Sequence, residues 1–338
     1  MRIIYYICLC ILLILGIISC TPDFDDYYYE DVFDCKLEPS SEYIVVIGDV
    51  QEYTQKQHNA YYFLKTVNWI RGMYKHGYMI DCVMQTGDLT NDNIHWQYNA
   101  FRSYMSPVAN EVTTIAVTGN HDYDWNKSIL TRKSTHFNEY ASFNKTKNEI
   151  IAAFESGSME NVIIKNSIRG IPFYIIALEF APRTEAVLWA KRFVEDHKDI
   201  NFLLLTHEFL TREGNFIVPN EYYQLTKFED STTSSPEFIW DNLIYPNDNV
   251  RAVICGHNSF STINNSKKNI TGRTIPLMIF NIQYLENGGN GLVQVWEIPQ
   301  TGDSININVY STIGNCIYNS NGQSHFKNEI TSYKISIF

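Results

Sequence analysis

The segment that decides the fold of this chain is VTGNHD, at positions 117–122. It closes an apolar, β-branched run that begins at Thr113, and such a run predicts a buried strand. An amide, an imidazole and a carboxylate then follow one another as Asn120, His121 and Asp122. These side chains can bind divalent cations and move protons. A single block remains weak evidence, because glycine-acid pairs usually mark turns and a lone histidine is usually structural.

Four further blocks repeat this arrangement of an apolar run followed by candidate metal ligands. They are VIGDVQ at 46–51, QTGDLTND at 85–92, LLTH at 204–207 and ICGHNS at 254–259. The runs that precede them, at 43–47, 79–84, 201–205 and 250–254, are predicted strands. In an open α/β sheet, loops and ligands converge at the carboxyl ends of the strands. Residues scattered from 49 to 257 are therefore expected to meet at one point.

Taken in order, the five blocks resemble the calcineurin-like metallophosphoesterases, whose pattern reads D-x-H, G-D-x-x-D, G-N-H-[DE], a lone His and G-H-x-H. The resemblance covers roughly residues 42–311. It implies an α/β fold of the metallophosphoesterase type, a four-layer α/β/β/α sandwich in which helices flank two mixed sheets.

Apolar spacing adds predicted elements between and after the blocks. Helices are predicted over 60–74, 94–104 and 184–197, the last one capped by Thr184. Strand pairs are predicted at 162–164 with 172–178, and at 292–298 with 304–310.

The resemblance implies one or two divalent metal ions, with Asp88 as the carboxylate that bridges them. The second metal position would take Asp88, Asn120, His207 and His257, and each ligand type is present there. Mixed oxygen and nitrogen ligands admit manganese, iron, zinc, magnesium or calcium, so the sequence does not name the metal.

The first metal position departs from the family pattern. It would take Asp49, Gln51, Asp88 and Ser259, whereas the family has histidine at the places of Gln51 and Ser259. An amide oxygen is a harder and weaker ligand than an imidazole, and serine is a poor ligand. Three outcomes follow: a dinuclear enzyme with one weak, oxygen-rich site, a mononuclear enzyme, or a binding protein that keeps the scaffold. Residues near the blocks that could substitute are His58, His95 and Asn258.

The remaining residues of the blocks suggest roles in the reaction. By resemblance His121 is the general acid or a phosphate contact, and Asp122 would orient its ring. The family acid of the second block falls at Asn91, so Asp92 is interpreted as a loop carboxylate that caps the following helix. Segments 123–148 and 209–235 are expected to be irregular loops over the site. Tyr123, Trp125 and Arg212 are the candidate substrate contacts in them, but simple packing of the aromatic residues is the safer expectation.

The N-terminus resembles that of an exported bacterial lipoprotein. Residues 1–19 are interpreted as the signal peptide, Cys20 as the lipidated residue, 20–41 as an acidic and aromatic tether, and 42–338 as the metallophosphoesterase domain. An uncleaved N-terminal anchor is the alternative, with the same compartment outside the cytoplasm. The protein is expected to be anchored to a bacterial membrane, at the outer membrane or the cell surface. The membrane is its expected partner, through the lipid on Cys20.

The net charge and the absence of two catalytic or phosphate-binding motifs argue against several other classes of function. The formal net charge of −11 and the absence of a basic run argue against nucleic acid as a standing partner. Neither a G-x-S-x-G elbow nor a phosphate-binding P-loop is present. The expected function is metal-dependent hydrolysis of a phosphomonoester or phosphodiester. The alternative is an impaired member that binds a phosphorylated or glycan ligand at the cell surface. The substrate and the oligomeric state are not predicted.

Overall fold

Two mixed β-sheets face each other across an apolar core in the part of the chain that the structure describes. The structure is a computed structural model that describes residues 33, 35–126, 129–218, 228, 232–258, 262–318 and 332–338. The side chains of 125, 126, 129, 134 and 262–264 are not described. Residues Cys35–Phe338 form one compact unit. The positions interpreted as signal peptide and Cys20 lie outside the described residues.

The strands alternate with helices in the first half of the chain and cluster towards its end. The strands are β1 (Glu42–Ile47), β2 (Met79–Gln85), β3 (Thr114–Ala116), β4 (Asp124–Asn126), β5 (Ile129–Thr131), β6 (Ile150–Ala153), β7 (Val162–Ile164), β8 (Ser167–Ile168), β9 (Ile171–Ala177), β10 (Asn201–Leu205), β11 (Val250–Cys255), β12 (Thr262–Lys268), β13 (Thr274–Phe280), β14 (Leu292–Ile298), β15 (Ile305–Ser311), β16 (Cys316–Ile317) and β17 (Ser332–Ile335).

The helices are mostly amphipathic and lie outside the sheets. They are α1 (Gln51–Gln55), α2 (Ala60–Lys75), α3 (His95–Ala109), α4 (Phe137–Tyr140), α5 (Asn144–Lys147), α6 (Thr184–Asp196) and α7 (Pro236–Ile239), which continues into the wider turn Trp240–Ile244. Single helical turns lie at Asn120–Asp122, Arg132–Ser134 and Glu286–Gly288. Among the described helices none is long and apolar enough to cross a membrane.

The first sheet has the order β16-β15-β14-β1-β2-β3, with β17 beside β15, among the described strands. Its central strands β1, β2 and β3 run parallel, and β14 is antiparallel to β1. The parallel register pairs Ile47 with Gln85 and Gln85 with Ala116. The three strands therefore end at one edge, where the first three blocks begin.

The second sheet has the order β12-β13-β11-β10-β9-β7-β6 over the residues covered, with β8 beside β9. Strands β9, β10, β11 and β13 are parallel. The last two blocks follow β10 and β11, so the five blocks come from two sheets rather than from a single sheet edge. One apolar cluster joins the inner faces of both sheets, with members such as Val46, Met84, Leu205, Ile254 and Trp296.

A second apolar cluster covers the outer face of the second sheet with α6 and the segment 236–244. On the outer side of the first sheet, Trp69 of α2 stacks on Tyr310 of β15 with ring centroids 4.7 Å apart. Burial of these faces, at about 25 cal/mol per Å², is the main force that holds the layers together. The predicted four-layer α/β/β/α sandwich is confirmed.

Most predicted elements are present, with changes at their ends. Helix α2 ends before Gly77, whose φ of +84° gives the left-handed conformation typical of a helix stop. Helix α3 extends through Pro107 to Ala109, beyond the predicted end at 104. The cap of α6 is Arg183, not Thr184, whose hydroxyl instead donates to the carbonyl of Thr232. The prediction of irregular structure over 123–148 was wrong, since this segment forms the β4–β5 ribbon and the short helices α4 and α5.

Candidate metal centre

The carboxylate of Asp88, the amide of Asn120 and the imidazole of His207 converge on one point between the sheets. Nε2 of His207 lies 3.4 Å from Oδ1 of Asp88 and 3.3 Å from Oδ1 of Asn120. Ligand atoms of Asp88, His207 and His257 all lie within 4.8 Å of one another. The structure thus brings together the four residues of the second metal position, although they come from four separate blocks.

Two glycines let the backbone approach these ligands closely. Gly87 and Asp88 both have positive φ, +108° and +53°, so the chain turns sharply after β2. A Cβ at Gly87 would lie 2.4 Å from Nδ1 of His207, and a Cβ at Gly119 would lie 2.1 Å from Oδ1 of Asp88. A side chain at Gly87 or Gly119 would displace a ligand, which explains why the second and third blocks have glycine at these positions.

The orientation of His207 is set by the backbone. Its Nδ1 lies 2.7 Å from the carbonyl of Thr86, so Nδ1–H donates there and Nε2 faces Asp88. The ring is fully buried. Burial alone would lower the pKa of His207, but the carboxylates of Asp88 and Asp49 outweigh it and raise the pKa to about 10. Burial would raise the pKa of Asp88, but His207 and the other histidines hold it well below its usual range. The two form a buried ion pair.

The carboxylate of Asp49, from the first metal position, is surrounded by hydrogen-bond donors. Its Oδ1 accepts from the hydroxyl of Thr86 at 3.1 Å, and its Oδ2 accepts from the backbone N–H of His257 at 3.2 Å. Two side-chain amides also donate to Oδ2, Asn281 at 2.6 Å and Gln283 at 3.5 Å. Burial, opposed by His207 and reinforced by Asp88, raises the pKa of Asp49 to about 7. Asp49 is thus satisfied by protein groups alone.

Asn281 and Gln283 were not identified from the sequence. They directly follow β13, an apolar run, and so they carry the same local signal as the five blocks. The fourth expected ligand of this position, Ser259, lies outside the described residues. The first metal position therefore consists of Asp49 and Gln51 beside Asp88, with Asn281 and Gln283 where the family pattern gave no residue.

The ring of His121 is held by a backbone carbonyl rather than by Asp122. Its Nδ1 lies 2.8 Å from the carbonyl oxygen of Asn91, and its backbone N–H donates to Oδ1 of Asp88 at 2.9 Å. Burial alone would lower the pKa of His121, but the carboxylate of Asp88 reverses this, and the net pKa is raised. Within the covered part of the chain, Nε2 of His121 has no hydrogen-bond partner, which leaves this atom for a ligand.

Asp122 was expected to orient His121, and this expectation was wrong. Its carboxylate accepts from the backbone N–H groups of Gly119 at 2.8 Å, Leu89 at 3.1 Å and Thr90 at 3.0 Å. It also accepts from the hydroxyl of Thr90 at 3.0 Å. All of its acceptor capacity goes to the two loops that carry Asp88 and Asn120. Asp122 therefore clamps the second and third blocks together and makes no contact with the imidazole ring.

Asp92 does not cap helix α3, contrary to the sequence interpretation. The cap residue is Ile94, and no side chain accepts from the first turn. The Asp92 carboxylate instead accepts from the side-chain amide of Gln97 at 2.6 Å. Oε1 of Gln97 in turn accepts from the backbone N–H of Asn91 at 2.8 Å. This exchange of hydrogen bonds fixes the loop whose carbonyl holds His121.

The proposed substrate contacts divide into three cases. Tyr123 is only 1% exposed, and its hydroxyl pairs with Thr118 at 2.8 Å, so it is a core residue and the expected substrate contact was wrong. Arg212 is exposed, and its role as a substrate contact stays a prediction. Trp125 lies in β4, but its side chain is outside the described set.

Neither of the two proposed substitute histidines joins the Asp88 cluster among the residues described. His58 is exposed. His95 belongs to a separate, more exposed group with His136 and Glu139, whose ligand atoms lie within 4.8 Å of one another. Asn258 has a buried side-chain nitrogen with no hydrogen-bond partner in the described structure. The sequence also gave no role to Glu208, which is next to His207 and fully buried.

The donor set at Asp88, Asn120, His207 and His257 fits a divalent cation. Two ligands bound at about 2.1 Å to the same ion lie roughly 3 to 3.5 Å apart, and the measured separations of 3.3 and 3.4 Å agree. A further sign is Oε1 of Gln51, which is buried beside Asp88 without a hydrogen-bond partner in the part described. A buried, unpaired oxygen is costly unless a donor or a cation satisfies it.

Together, the fold and this site define a class of proteins. Its members are α/β/β/α sandwiches whose two sheets carry candidate metal ligands at the ends of their strands. Within this class the chain belongs to the calcineurin-like phosphoesterase family, whose family model matches residues 43–258. Members of this family use a dinuclear metal centre.

Two comparisons place the chain among more distant proteins. It is 22% identical over 277 residues to the uncharacterized protein YvnB of Bacillus subtilis (strain 168), a match that covers 79% of this chain and 20% of YvnB. The structure is similar to that of purple acid phosphatase PPD1 from yellow lupin (Lupinus luteus) seeds. The TM-score is 0.51 at 12% identity, over 88% of this chain and 54% of that chain. The chain thus spans about a fifth of YvnB and about half of the phosphatase, and the structural likeness shows the fold alone.

Proposed function

We propose that the protein hydrolyses phosphate esters, monoesters or diesters, with a divalent cation held by Asp88, Asn120, His207 and His257. The observation that carries the proposal is the convergence of these side chains, which four separate blocks supply, at separations that suit one ion. Family membership supports the same reaction class.

The residues of the site divide the work of the reaction. When bound, the cation neutralises charge on the phosphoryl oxygens and lowers the pKa of an attacking water. Asp88 and His207 sit in a fully buried pair, so their positions are fixed before substrate arrives. Phe180 packs against the rings of His207 and His257, with centroids 5.7 and 6.1 Å apart, and makes an apolar wall that strengthens electrostatic interactions.

His121 is the residue that would contact the leaving group. The carbonyl of Asn91 takes Nδ1–H, so Nε2 can protonate the leaving oxygen or hold a phosphoryl oxygen. The link between the His121 backbone N–H and Asp88 ties this ring to the metal ligands. The proton donor His121 and the cation ligand Asn120 are neighbours on one loop.

The test uses the purified chain with manganese, zinc, iron, magnesium or calcium and two chromogenic substrates, p-nitrophenyl phosphate and bis(p-nitrophenyl) phosphate. Asp88→Asn and His207→Ala are expected to abolish turnover of whichever substrate is used. His58→Ala, at an exposed position near the first block, is the control and should keep full activity. Turnover that survives both site substitutions would show that another site performs the hydrolysis.

A second candidate function is supported by the first metal position. Because Asp49 is already satisfied by Thr86, His257, Asn281 and Gln283, this half of the centre is weakened. A protein of this kind would bind a phosphorylated or glycan ligand without turnover. Calorimetric binding of phosphorylated or glycan compounds, with no hydrolysis under any of the five metals, would favour this second function.

We also propose that the protein is exported and anchored to a bacterial membrane by a lipid on Cys20. The sequence of residues 1–20 is the support, since an apolar segment of this length ends in Ser19-Cys20. Metabolic labelling with a fatty-acid analogue in a bacterial host should label the chain, and Cys20→Ala should abolish the label. An unlabelled wild-type chain that fractionates with the cytoplasm would contradict export.

A further inference from the structure

We propose that Glu208 is a positioning residue that holds the imidazole of His257 and leaves one ring nitrogen of His257 for the cation. This inference rests on the proposed function, since it assigns a task at the same centre. Oε1 of Glu208 lies 3.3 Å from Nε2 of His257. Glu208 directly follows a metal-ligand block, but neither the sequence nor the family pattern gives it a role.

The Glu208 carboxylate is isolated from hydrogen-bond donors in the described part of the chain. The residue is 1% exposed, and neither of its side-chain oxygens has a hydrogen-bond partner among the residues described. A carboxylate without water or donors is strongly destabilising unless a positive or proton-donating group lies beside it. In the described structure the ion-pair partner of Glu208 is His257. A buried acid in this position is thus accounted for by the imidazole.

The main chain of His257 is held by hydrogen bonds that do not restrain its ring. This residue has a φ of +62°, an unusual conformation for a residue with a side chain. Its backbone N–H donates to Asp49 and its carbonyl accepts from Asn281 at 2.8 Å. These bonds fix the backbone but not the ring. The contact with Glu208 supplies a restraint on the ring in addition to its packing against Phe180.

The other ligand histidine, His207, also uses one ring nitrogen for orientation and the other for the site. His207 places Nδ1–H on the carbonyl of Thr86, which leaves Nε2 toward Asp88. In His257 the roles of the ring nitrogens are reversed, because Nε2 is the nitrogen that lies 3.3 Å from Oε1 of Glu208. Nδ1 is then the nitrogen left for the cation. A histidine whose second nitrogen donates to a carboxylate is better oriented and a stronger ligand.

Glu208 acts through His257 rather than as a ligand itself. Within the described residues, the carboxylate and imidazole atoms that lie within 4.8 Å of one another here belong to Asp88, His207 and His257. The Glu208 oxygens are outside this cluster. Their effect on the cation is therefore expected to be indirect, through the tautomer and the orientation of one ring.

The experiment measures Mn²⁺ affinity of the full chain by calorimetry for Glu208→Ala and Glu208→Gln. The alanine variant should bind about 10- to 100-fold more weakly, as for other partners of metal-bound histidines. The glutamine variant should stay within about fivefold of the wild type, because its amide oxygen can take the place of the carboxylate oxygen beside Nε2 and accept a hydrogen bond from it. Glu213→Ala, an exposed glutamate in the same segment, is the matched control and should bind normally.

Two results would overturn the inference: an alanine variant within about threefold of the wild type, or equal losses in the alanine and glutamine variants. Asp88→Asn separates this failure from failure of the proposed function. If Asp88→Asn abolishes Mn²⁺ binding and Glu208→Ala does not, only the role of Glu208 is wrong. If Asp88→Asn binds Mn²⁺ as the wild type does, the proposed metal centre itself is wrong.

A spectroscopic readout on the wild type removes the dependence on how the variants fold. In the Zn²⁺-loaded chain labelled with ¹⁵N-histidine, the His257 signal, assigned by its loss in His257→Gln, should show a proton on Nε2. A proton on Nδ1 would place the cation on Nε2, which contradicts the assignment.

Discussion

The side-chain amide of Gln51 donates through Nε2 to Oδ2 of Asp88 at 2.9 Å, and both residues are buried. Gln51 thus occupies the place where the family pattern has an imidazole, and it binds the central carboxylate through a proton. Its Oε1 is left without a hydrogen-bond partner in the described region. When Gln51 does not bind a metal, its side-chain amide therefore holds the Asp88 carboxylate by a hydrogen bond.

Gln51→Met should destabilise the metal-free protein. The change keeps the volume but removes the donor to Asp88, and a lost hydrogen bond to a buried charge costs about 1.5–3 kcal/mol. Urea unfolding in the presence of a chelator measures the difference. Gln55→Met is the matched control, because Gln55 lies in the same helix and its amide bonds Asp92 at the surface. A loss at Gln51 no larger than that at Gln55 would contradict the importance of the bond.

Asp122→Asn should reduce both the stability and the affinity for metal. The amide nitrogen would face backbone N–H groups that now donate to a carboxylate, so the clamp between the second and third blocks would open. The expected cost is about 2–4 kcal/mol in unfolding free energy, with weaker Mn²⁺ binding by calorimetry. Asp92→Asn, a change in a more exposed loop carboxylate, should leave metal binding unchanged. An intact Mn²⁺ affinity in Asp122→Asn would show that the clamp is not needed.

His121→Gln should separate chemistry from metal binding. The His121 ring is hydrogen-bonded to Asn91 and to none of the described ligand atoms, so Mn²⁺ affinity should stay within about twofold of the wild type. Loss of a positioned proton donor should lower kcat by about 10²- to 10⁴-fold on substrates with a poor leaving group. Steady-state kinetics and calorimetry on the same preparation provide the two values. If kcat is unchanged, His121 neither protonates nor holds the ester.

Asp81→Asn should flatten the dependence of stability on pH. Burial and then the neighbouring Glu42 raise the pKa of Asp81 to about 8, and one of its oxygens has no hydrogen-bond partner among the residues covered. The folded state therefore binds a proton more tightly than the unfolded state, whose carboxyl has a pKa of about 3.9. The stability that this protonated form provides is present below pH 4 and is lost as pH rises through about 8.

The asparagine variant cannot ionise, so it should exceed the wild type by more than about 1 kcal/mol at pH 8 and approach it at pH 4. Unfolding by urea at several pH values measures this. Asp303→Asn, at an exposed turn, is the control and should change the free energy of unfolding by the same amount at pH 4 and at pH 8. A constant difference between Asp81→Asn and the wild type over this range would show that Asp81 does not titrate between the two states.

Sequence patterns predicted the local elements well and the hydrogen bonds poorly. The runs before the blocks became β1, β2, β3, β10 and β11, because buried strands need continuous apolar residues. Arg169 and Gly170 form the two-residue turn between β8 and β9, with φ of +52° and +72° as such a hairpin requires. By contrast, the expected link between Asp122 and His121 was wrong, since neighbours in sequence can point to different partners in a loop.

The amino-acid sequence alone supplied five short blocks, and their resemblance to a known family implied the fold class and the ligands Asp88, Asn120, His207 and His257. Strand formation and ligand chemistry leave such short, local patterns, so they can be recognised without a structure. Only the tertiary structure decided that these ligands come from two facing sheets, that Asn281 contacts Asp49 and that Glu208 contacts His257. Those contacts depend on strand register and side-chain direction between segments far apart in the chain. No periodicity in a single segment carries that information.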